Sequence, residues 1–175
     1  MKLKDELRMR AKLVMMFSAD AGNAKPTIKD AIEEANRTIL IKGAPEGQES
    51  EAAKVTSWDL KGTSMTAEIE SGTLVRATTA ALRLKKFLGN VLGRKCKIGT
   101  RDLVVESIEF SVPSEHEVGP ELKSRILAIP NISKVEYEAG KARITIGQMS
   151  EYDLKNNVPD RLVTRVREVL ARAEK

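Results

Sequence analysis

The stretch that decides the fold is Lys54–Glu70, with the sequence KVTSWDLKGTSMTAEIE. Its second half, Met65–Glu70, alternates apolar and polar residues, which is typical of a half-buried strand. The first half, Lys54–Leu60, is also strand-like, and Gly62 stands between the two runs. A glycine at such a junction indicates a tight turn, so we predict a β-hairpin here.

Similar patterns elsewhere in the sequence predict the remaining strands and helices of an α+β domain. Further strands are predicted at Met9–Phe17, Lys95–Val112, Ser133–Glu138 and Lys141–Ile146, and a change of apolar phase predicts a bulge near Glu106. Helices are predicted from Pro26 to Gly43, from about Leu74 to Leu92, within Ser114–Ala128 and from Glu151 onward. Hairpins connect the strands, so we expect an antiparallel sheet of about six strands, covered on one face by a bundle of about three helices. We expect residues 1–175 to form a single domain, because no repeat or linker divides them.

The composition leaves little material for catalysis. The chain has one histidine, His116, and one cysteine, Cys96, so we expect no metal centre, no Cys/His nucleophile pair and no disulfide framework. No glycine-rich phosphate loop is present, and we expect neither catalytic residues nor a cofactor. No apolar run reaches membrane-spanning length and the start lacks an apolar signal core, so we expect a cytoplasmic protein without membrane contact. Aromatic residues make up only 3% of the chain, which disfavours a single-strand nucleic-acid binder that stacks successive bases on aromatic side chains and favours recognition of backbone and shape.

One segment concentrates positive charge. The whole chain has a net charge of +5 and contains 25 Asp and Glu, yet none of these acids lies between Ser71 and Arg101. This segment contains eight basic residues: Arg76, Arg83, Lys85, Lys86, Arg94, Lys95, Lys97 and Arg101. Gathered on one face, they would produce a positive potential that attracts polyanions, above all nucleic-acid backbones.

Helical periodicity gathers most of these cations on one side of the predicted helix. Apolar residues form one arc of the helix, comprising Leu74, Ala77, Ala81, Leu84, Leu88 and Leu92. A separate arc about 80° wide, which we call the basic arc, comprises Arg76, Thr79, Arg83, Lys86, Asn90 and Arg94. The acids that normally pair with such cations at i+4 are missing. In the strand that follows, Lys97 and Arg101 are four residues apart and therefore share a face.

A purely structural interpretation remains open for these cations. They would then form an ordinary solvated surface, with acids supplied across space by Glu68, Glu70 or Asp102. A second, weaker row on the last helix comprises Arg161, Arg165 and Arg172, and it is accompanied by Glu168 and Glu174. For this second row the structural interpretation is the favoured one.

Five stretches together resemble the N-terminal tRNA-binding domain of the methanogenic (rare, archaeal) type of seryl-tRNA synthetase. They are Lys42–Glu49, Lys54–Trp58, Leu82–Lys86, Gly93–Arg101 and Lys155–Arg161. The most specific is GAPEGQ at 43–48 followed by VTSW at 55–58. The resemblance covers essentially the full chain in order, and it is poorest over Glu115–Ile132.

The resemblance implies a six-stranded antiparallel sheet capped by helices that binds the elbow and long variable arm of serine tRNA. The positions that match the family's tRNA contacts are Arg83, Lys86 and Arg101, and we expect Arg76, Lys85, Arg94 and Lys97 to add less specific charge. The family's class II motifs, serine site and zinc would lie beyond Lys175, in a catalytic domain through which the synthetase could form a homodimer. We therefore expect the chain to be either an excised domain of this ligase or a free-standing relative that binds other structured RNAs. A third alternative is a protein-interaction module whose basic face docks an acidic partner.

Overall fold

The strands form one antiparallel sheet in the computed structural model. The structure describes residues 9–42, 52–72, 74–93, 103–114 and 117–173, without the side chains of residues 74–76. Within these residues the strands are β1 (Met9–Met16), β2 (Lys54–Lys61), β3 (Ser64–Ser71), β4 (Leu103–Pro113), β5 (Ile132–Glu138), β6 (Lys141–Ile146) and β7 (Met149–Ser150). Their spatial order is β2-β3-β1-β4-β6-β5, and β7 pairs with β4. Both predicted hairpins are confirmed, and among the strands of the described residues the sequence missed only the two-residue β7. The first part of the predicted strand Lys95–Val112, residues 95–102, lies outside the described residues.

A β-bulge interrupts the pairing of β1 with β4. Lys12 lies opposite Ser107 and Leu13 lies opposite Val105, so Glu106 is the extra residue of the bulge. The prediction of a bulge near Glu106 is therefore confirmed. The bulge corrects the alternation of β4, so that buried residues before and after it face the same side, namely Leu103, Val105, Ile108 and Phe110.

The helices are α1 (Lys25–Glu34), α2 (Leu74–Leu92), α3 (Pro120–Leu127), α4 (Glu151–Lys155) and α5 (Val158–Ala173), and a π-helical turn at Ala35–Ile39 extends α1. The bounds of α2 agree with the sequence prediction, and Gly93 follows it with a φ of 65°, a conformation that glycine adopts without strain. The described part of the chain contains five helices, whereas the sequence predicted four helical segments and a covering bundle of about three helices. The difference arises partly because Asn157, with a φ of 57°, separates α4 from α5.

The helices cover one face of the sheet, and the apolar core lies between them. In β1 every second residue is buried, and the residues between them are polar or partly exposed. α2 contacts β1 and β3, while α5 contacts α2, α3 and α4. The opposite face of the sheet carries ion pairs, such as Arg10 Nη2 to Glu70 Oε1 at 3.0 Å and Lys12 Nζ to Glu106 Oε2 at 3.5 Å. The predicted α+β architecture, with helices on one face, is confirmed.

The contact between α2 and the sheet predicts a large stability effect at Leu84. This side chain is fully buried, so Leu84→Ala leaves a cavity and should lower the free energy of unfolding by about 2–5 kcal/mol. Urea denaturation followed by circular dichroism measures this change. The matched control is Asn90→Ala on the exposed side of the same helix, which should alter stability by less than about 0.5 kcal/mol. Equal effects of the two substitutions would contradict the orientation of α2.

Candidate nucleic-acid interface

α2 presents a buried side and an exposed side, as its sequence periodicity predicts. The side packed on the sheet consists of Ala77, Ala80, Ala81, Leu84 and Leu88, all of which are almost completely buried. On the opposite side Lys86 and Asn90 are exposed, and Arg83 is half-buried. The described side chains of the basic arc therefore lie at the surface of the helix layer.

Arg83 is held in place by a contact with the end of the α1 segment. Its Nη1 donates a hydrogen bond of 2.7 Å to the backbone carbonyl of Lys42. This bond joins α2 to a residue 41 positions earlier in the chain. A guanidinium has five N–H donors in a planar fork, so the bond to Lys42 orients the group and leaves other donors for a ligand.

Lys86 is exposed and, among the described residues, has no carboxylate within ion-pair distance. The purely structural interpretation needs acids that neutralise these cations, but two of the three candidate acids point away from α2. Glu70 pairs with Arg10 on the opposite face of the sheet. Glu68 alternates with the buried Ala67 and Ile69, so it also points away from α2. Asp102, the third of these acids, lies outside the described residues. Neither Glu68 nor Glu70 neutralises the exposed side of α2.

Lys85 differs from the sequence prediction, which treated it as one of the RNA-facing cations. Its Nζ lies 2.6 Å from Oε1 of Glu151, the first residue of α4, and the two side chains are only 12% and 7% exposed. Lys85 is rotated by about 100° from Lys86 around the helix axis, which turns it toward α4. Its charge is therefore compensated inside the protein. The sequence could not reveal this partner, which is 66 positions away.

The remaining cations of the predicted interface lie outside the residues and side chains that the structure describes. Arg94, Lys97 and Arg101 are not among the described residues, and the side chain of Arg76 is likewise not described. Their participation stays a prediction.

α4 and α5 carry further exposed cations. Lys155 at the end of α4 is exposed, as are the three members of the second row, Arg161, Arg165 and Arg172. In the ranges that the structure covers, none of them forms an ion pair, although Glu168 is exposed on the same helix. Lys155 belongs to a stretch that the family resemblance includes, but no charge pattern in the sequence identified it as a site residue.

Among the described residues two carboxyl groups have clearly shifted pKa values, and neither belongs to α2. Burial raises the pKa of Asp160 on α5, because desolvation disfavours the charged form. A hydrogen bond and the charge of Lys134 lower the pKa of Glu136 on β5. Among the described residues no group of three or more His, Cys, Asp or Glu side chains could hold a metal ion. The surface around Lys86 thus offers cations and amide groups for binding an anion.

The chain matches a known family over nearly its whole length. The model of a family described as a tRNA-binding domain matches residues 7–168. The chain belongs to this family. No helix in the described ranges has the length and apolar character needed to cross a membrane.

The curated relatives of this tRNA-binding domain are much longer proteins. The type-2 serine–tRNA ligase of Methanococcoides burtonii is 40% identical over 163 residues, which are 93% of this chain and 30% of the ligase. The type-2 serine–tRNA ligase of Methanothrix thermoacetophila is 32% identical over 169 residues, covering 94% of this chain and 32% of the ligase. The tRNA-binding domain thus spans about a third of the length of these relatives.

A solved structure shares the fold of the tRNA-binding domain. It is the crystal structure of M. kandleri SerRS in complex with A. aeolicus tRNASec. The TM-score is 0.79 with 26% sequence identity, and the match covers 95% of this chain and 31% of that chain. The sequence resemblance to the tRNA-binding domain of the archaeal synthetase is therefore confirmed.

The ion pair between Lys85 and Glu151 predicts a strong dependence of stability on both partners. Lys85→Met or Glu151→Leu alone leaves one buried charge without its partner and should lower the free energy of unfolding by about 3–5 kcal/mol. The double variant should lose less than the sum of the two, because it leaves neither charge behind. Urea denaturation of the four proteins measures the coupling.

The control for these single and double variants is Lys86→Met, which replaces the neighbouring exposed lysine and should change the free energy of unfolding by less than about 0.5 kcal/mol. If Lys85→Met behaved like this control, Lys85 would not be part of a buried pair.

Proposed function

We propose that this tRNA-binding domain binds serine tRNA, and that the basic arc of α2 contacts the backbone of the long variable arm. The observation that carries the proposal is the exposed side of α2, where Lys86 and Arg83 face no carboxylate among the described residues. The relatives support the choice of ligand, because they are serine–tRNA ligases and the matched structure contains a tRNA.

Charge and shape are sufficient for this kind of recognition. Side chains reach the phosphates and 2′-hydroxyls of an A-form RNA helix more easily than its base edges. Lys86 supplies a mobile point charge for a phosphate, whereas Arg83 supplies an oriented planar fork. Serine tRNA would then be selected for its long arm and not for a base sequence, and no cofactor is required.

The full interface is larger than the described part of α2. Arg101 is proposed to contact the RNA from the strand after α2, with Arg76, Arg94 and Lys97 adding less specific charge. Lys85 is left out of the contacts because Glu151 already compensates its charge. The domain would serve as the binding portion of a cytoplasmic serine–tRNA ligase, with catalysis performed elsewhere in that protein.

The first test of this proposal is the salt dependence of binding. If about three phosphates are neutralised, log affinity for serine tRNA should fall against log salt concentration with a slope near −3. Lys86→Ala should weaken binding and reduce the magnitude of this slope by about 1, because one phosphate contact is lost. Filter binding at several salt concentrations measures both quantities.

The matched control is Lys141→Ala, which removes an exposed lysine from the opposite face of the sheet and should leave the slope unchanged. If Lys141→Ala and Lys86→Ala reduced affinity equally, binding would be non-specific attraction to the net charge and the proposed interface would be wrong.

The second test is a competition between tRNAs. Serine tRNA should displace a labelled serine tRNA at a lower concentration than a tRNA with a short variable arm, because only the long arm reaches the basic arc. A serine tRNA transcript with its variable arm shortened controls for all other features of the molecule. Equal competition by all three RNAs would favour a general binder of structured RNA over a domain specific for serine tRNA.

A further inference from the structure

Tyr152 is the one aromatic residue of the chain that is strongly exposed to solvent. The chain has six aromatic residues, and all six lie in the described part. Five of them are buried or half-buried, whereas Tyr152 on α4 is 73% exposed. A single exposed aromatic residue does not by itself indicate a binding site. The surroundings of Tyr152 in the fold are therefore the relevant evidence.

The start of α4 is held in a defined orientation. Ser150 and Asp153 form a capping box, in which the Ser150 side chain accepts from the Asp153 N–H and the Asp153 carboxylate accepts from the Ser150 N–H. Glu151 and Leu154 are buried on the inner side of the helix. Tyr152 therefore projects outward, and Lys155, three residues later, lies next to it on the exposed side.

The ion pair between Lys85 and Glu151 connects the helix that carries this ring to α2. Nζ of Lys85 and Oε1 of Glu151 are 2.6 Å apart, so the two helices approach within the combined reach of these side chains. Lys86 follows Lys85 on α2, just as Tyr152 follows Glu151 on α4. The exposed ring and the exposed ammonium are thus carried by residues adjacent to the two ends of one buried contact.

The charges around Tyr152 favour a nucleic acid over a protein as its ligand. Lys155, next to Tyr152 on α4, and Arg161, on the helix that follows, are exposed and have no ion-pair partner in the part of the chain that the structure describes. Asn156 donates a 2.8 Å hydrogen bond to the Tyr152 carbonyl, which steadies the turn after α4. An exposed aromatic ring with an uncompensated cation beside it is the combination that binds a stacked base together with its phosphates.

We propose that Tyr152 stacks on one unpaired nucleotide of the bound tRNA, next to the helical arm that contacts α2. This inference rests on the proposed function and adds a base contact to it. Unpaired nucleotides are the parts of an RNA whose base faces are available to aromatic side chains. Tyr152 would thus fix the position of the RNA along the basic arc, while Lys86 supplies charge.

The test compares Tyr152→Ala with Tyr152→Phe in binding an in vitro transcript of serine tRNA. Loss of a stacked base should weaken binding about 5- to 150-fold in Tyr152→Ala, whereas Tyr152→Phe keeps the ring and should bind as the unaltered protein does. The slope of log affinity against log salt should be the same in all three proteins, because no phosphate contact is lost. Thermal melting by circular dichroism should also be unchanged, since the side chain is exposed.

The possible results distinguish failure of the stacking contact from failure of the proposed function. If the unaltered protein binds serine tRNA and Tyr152→Ala binds equally well, the stacking contact is wrong and the proposed function stands. If Tyr152→Phe loses as much affinity as Tyr152→Ala, the hydroxyl and not the ring makes the contact, which also overturns stacking. If the unaltered protein does not bind the transcript, the proposed function fails, and the stacking contact fails with it.

Discussion

The packing of the apolar side of α2 against the sheet decides which of its charges reach solvent. Leu84 and Leu88 are fully buried against the core, and a helix is rigid enough that fixing these two side chains fixes the direction of all the others. Lys86 and Asn90 must then point outward. Burial of a few aliphatic side chains therefore determines the electrostatic character of the surface, although those side chains carry no charge.

The orientation of α2 also explains why two adjacent lysines on this helix have different surroundings. Lys86 faces solvent, whereas Lys85 is turned toward α4 and pairs with the buried Glu151. A buried ion pair contributes little net stability compared with apolar residues of the same size, but loss of either partner is costly. We interpret the pair as a device that sets the position of α4 relative to α2, and with it the position of Tyr152.

The distribution of acids distinguishes the two faces of the domain. On the open face of the sheet, cations alternate with carboxylates across neighbouring strands, as in the contacts of Arg143 with Glu136 and Glu138 at 3.7 Å. Such mixed pairs produce only a weak field beyond a Debye length. On the exposed side of α2 and at the corner formed by α4 and α5, the described cations have no such partners. Among the described residues, the exposed cations on this side of α2 and at this corner therefore keep a positive charge that no carboxylate compensates.

Much of the fold follows from the sequence alone, because alternation and helical periodicity are local properties. Both hairpins, the bounds of α2 and the bulge at Glu106 could be predicted, since each depends on residues a few positions apart. The same periodicity selected Lys86 and Arg83 as members of one arc. By contrast, only the tertiary structure revealed that Glu151 neutralises Lys85 and that the Lys42 carbonyl holds Arg83. These contacts join residues far apart in the chain, and their geometry is decided by how the helices pack on the sheet, which no local pattern encodes.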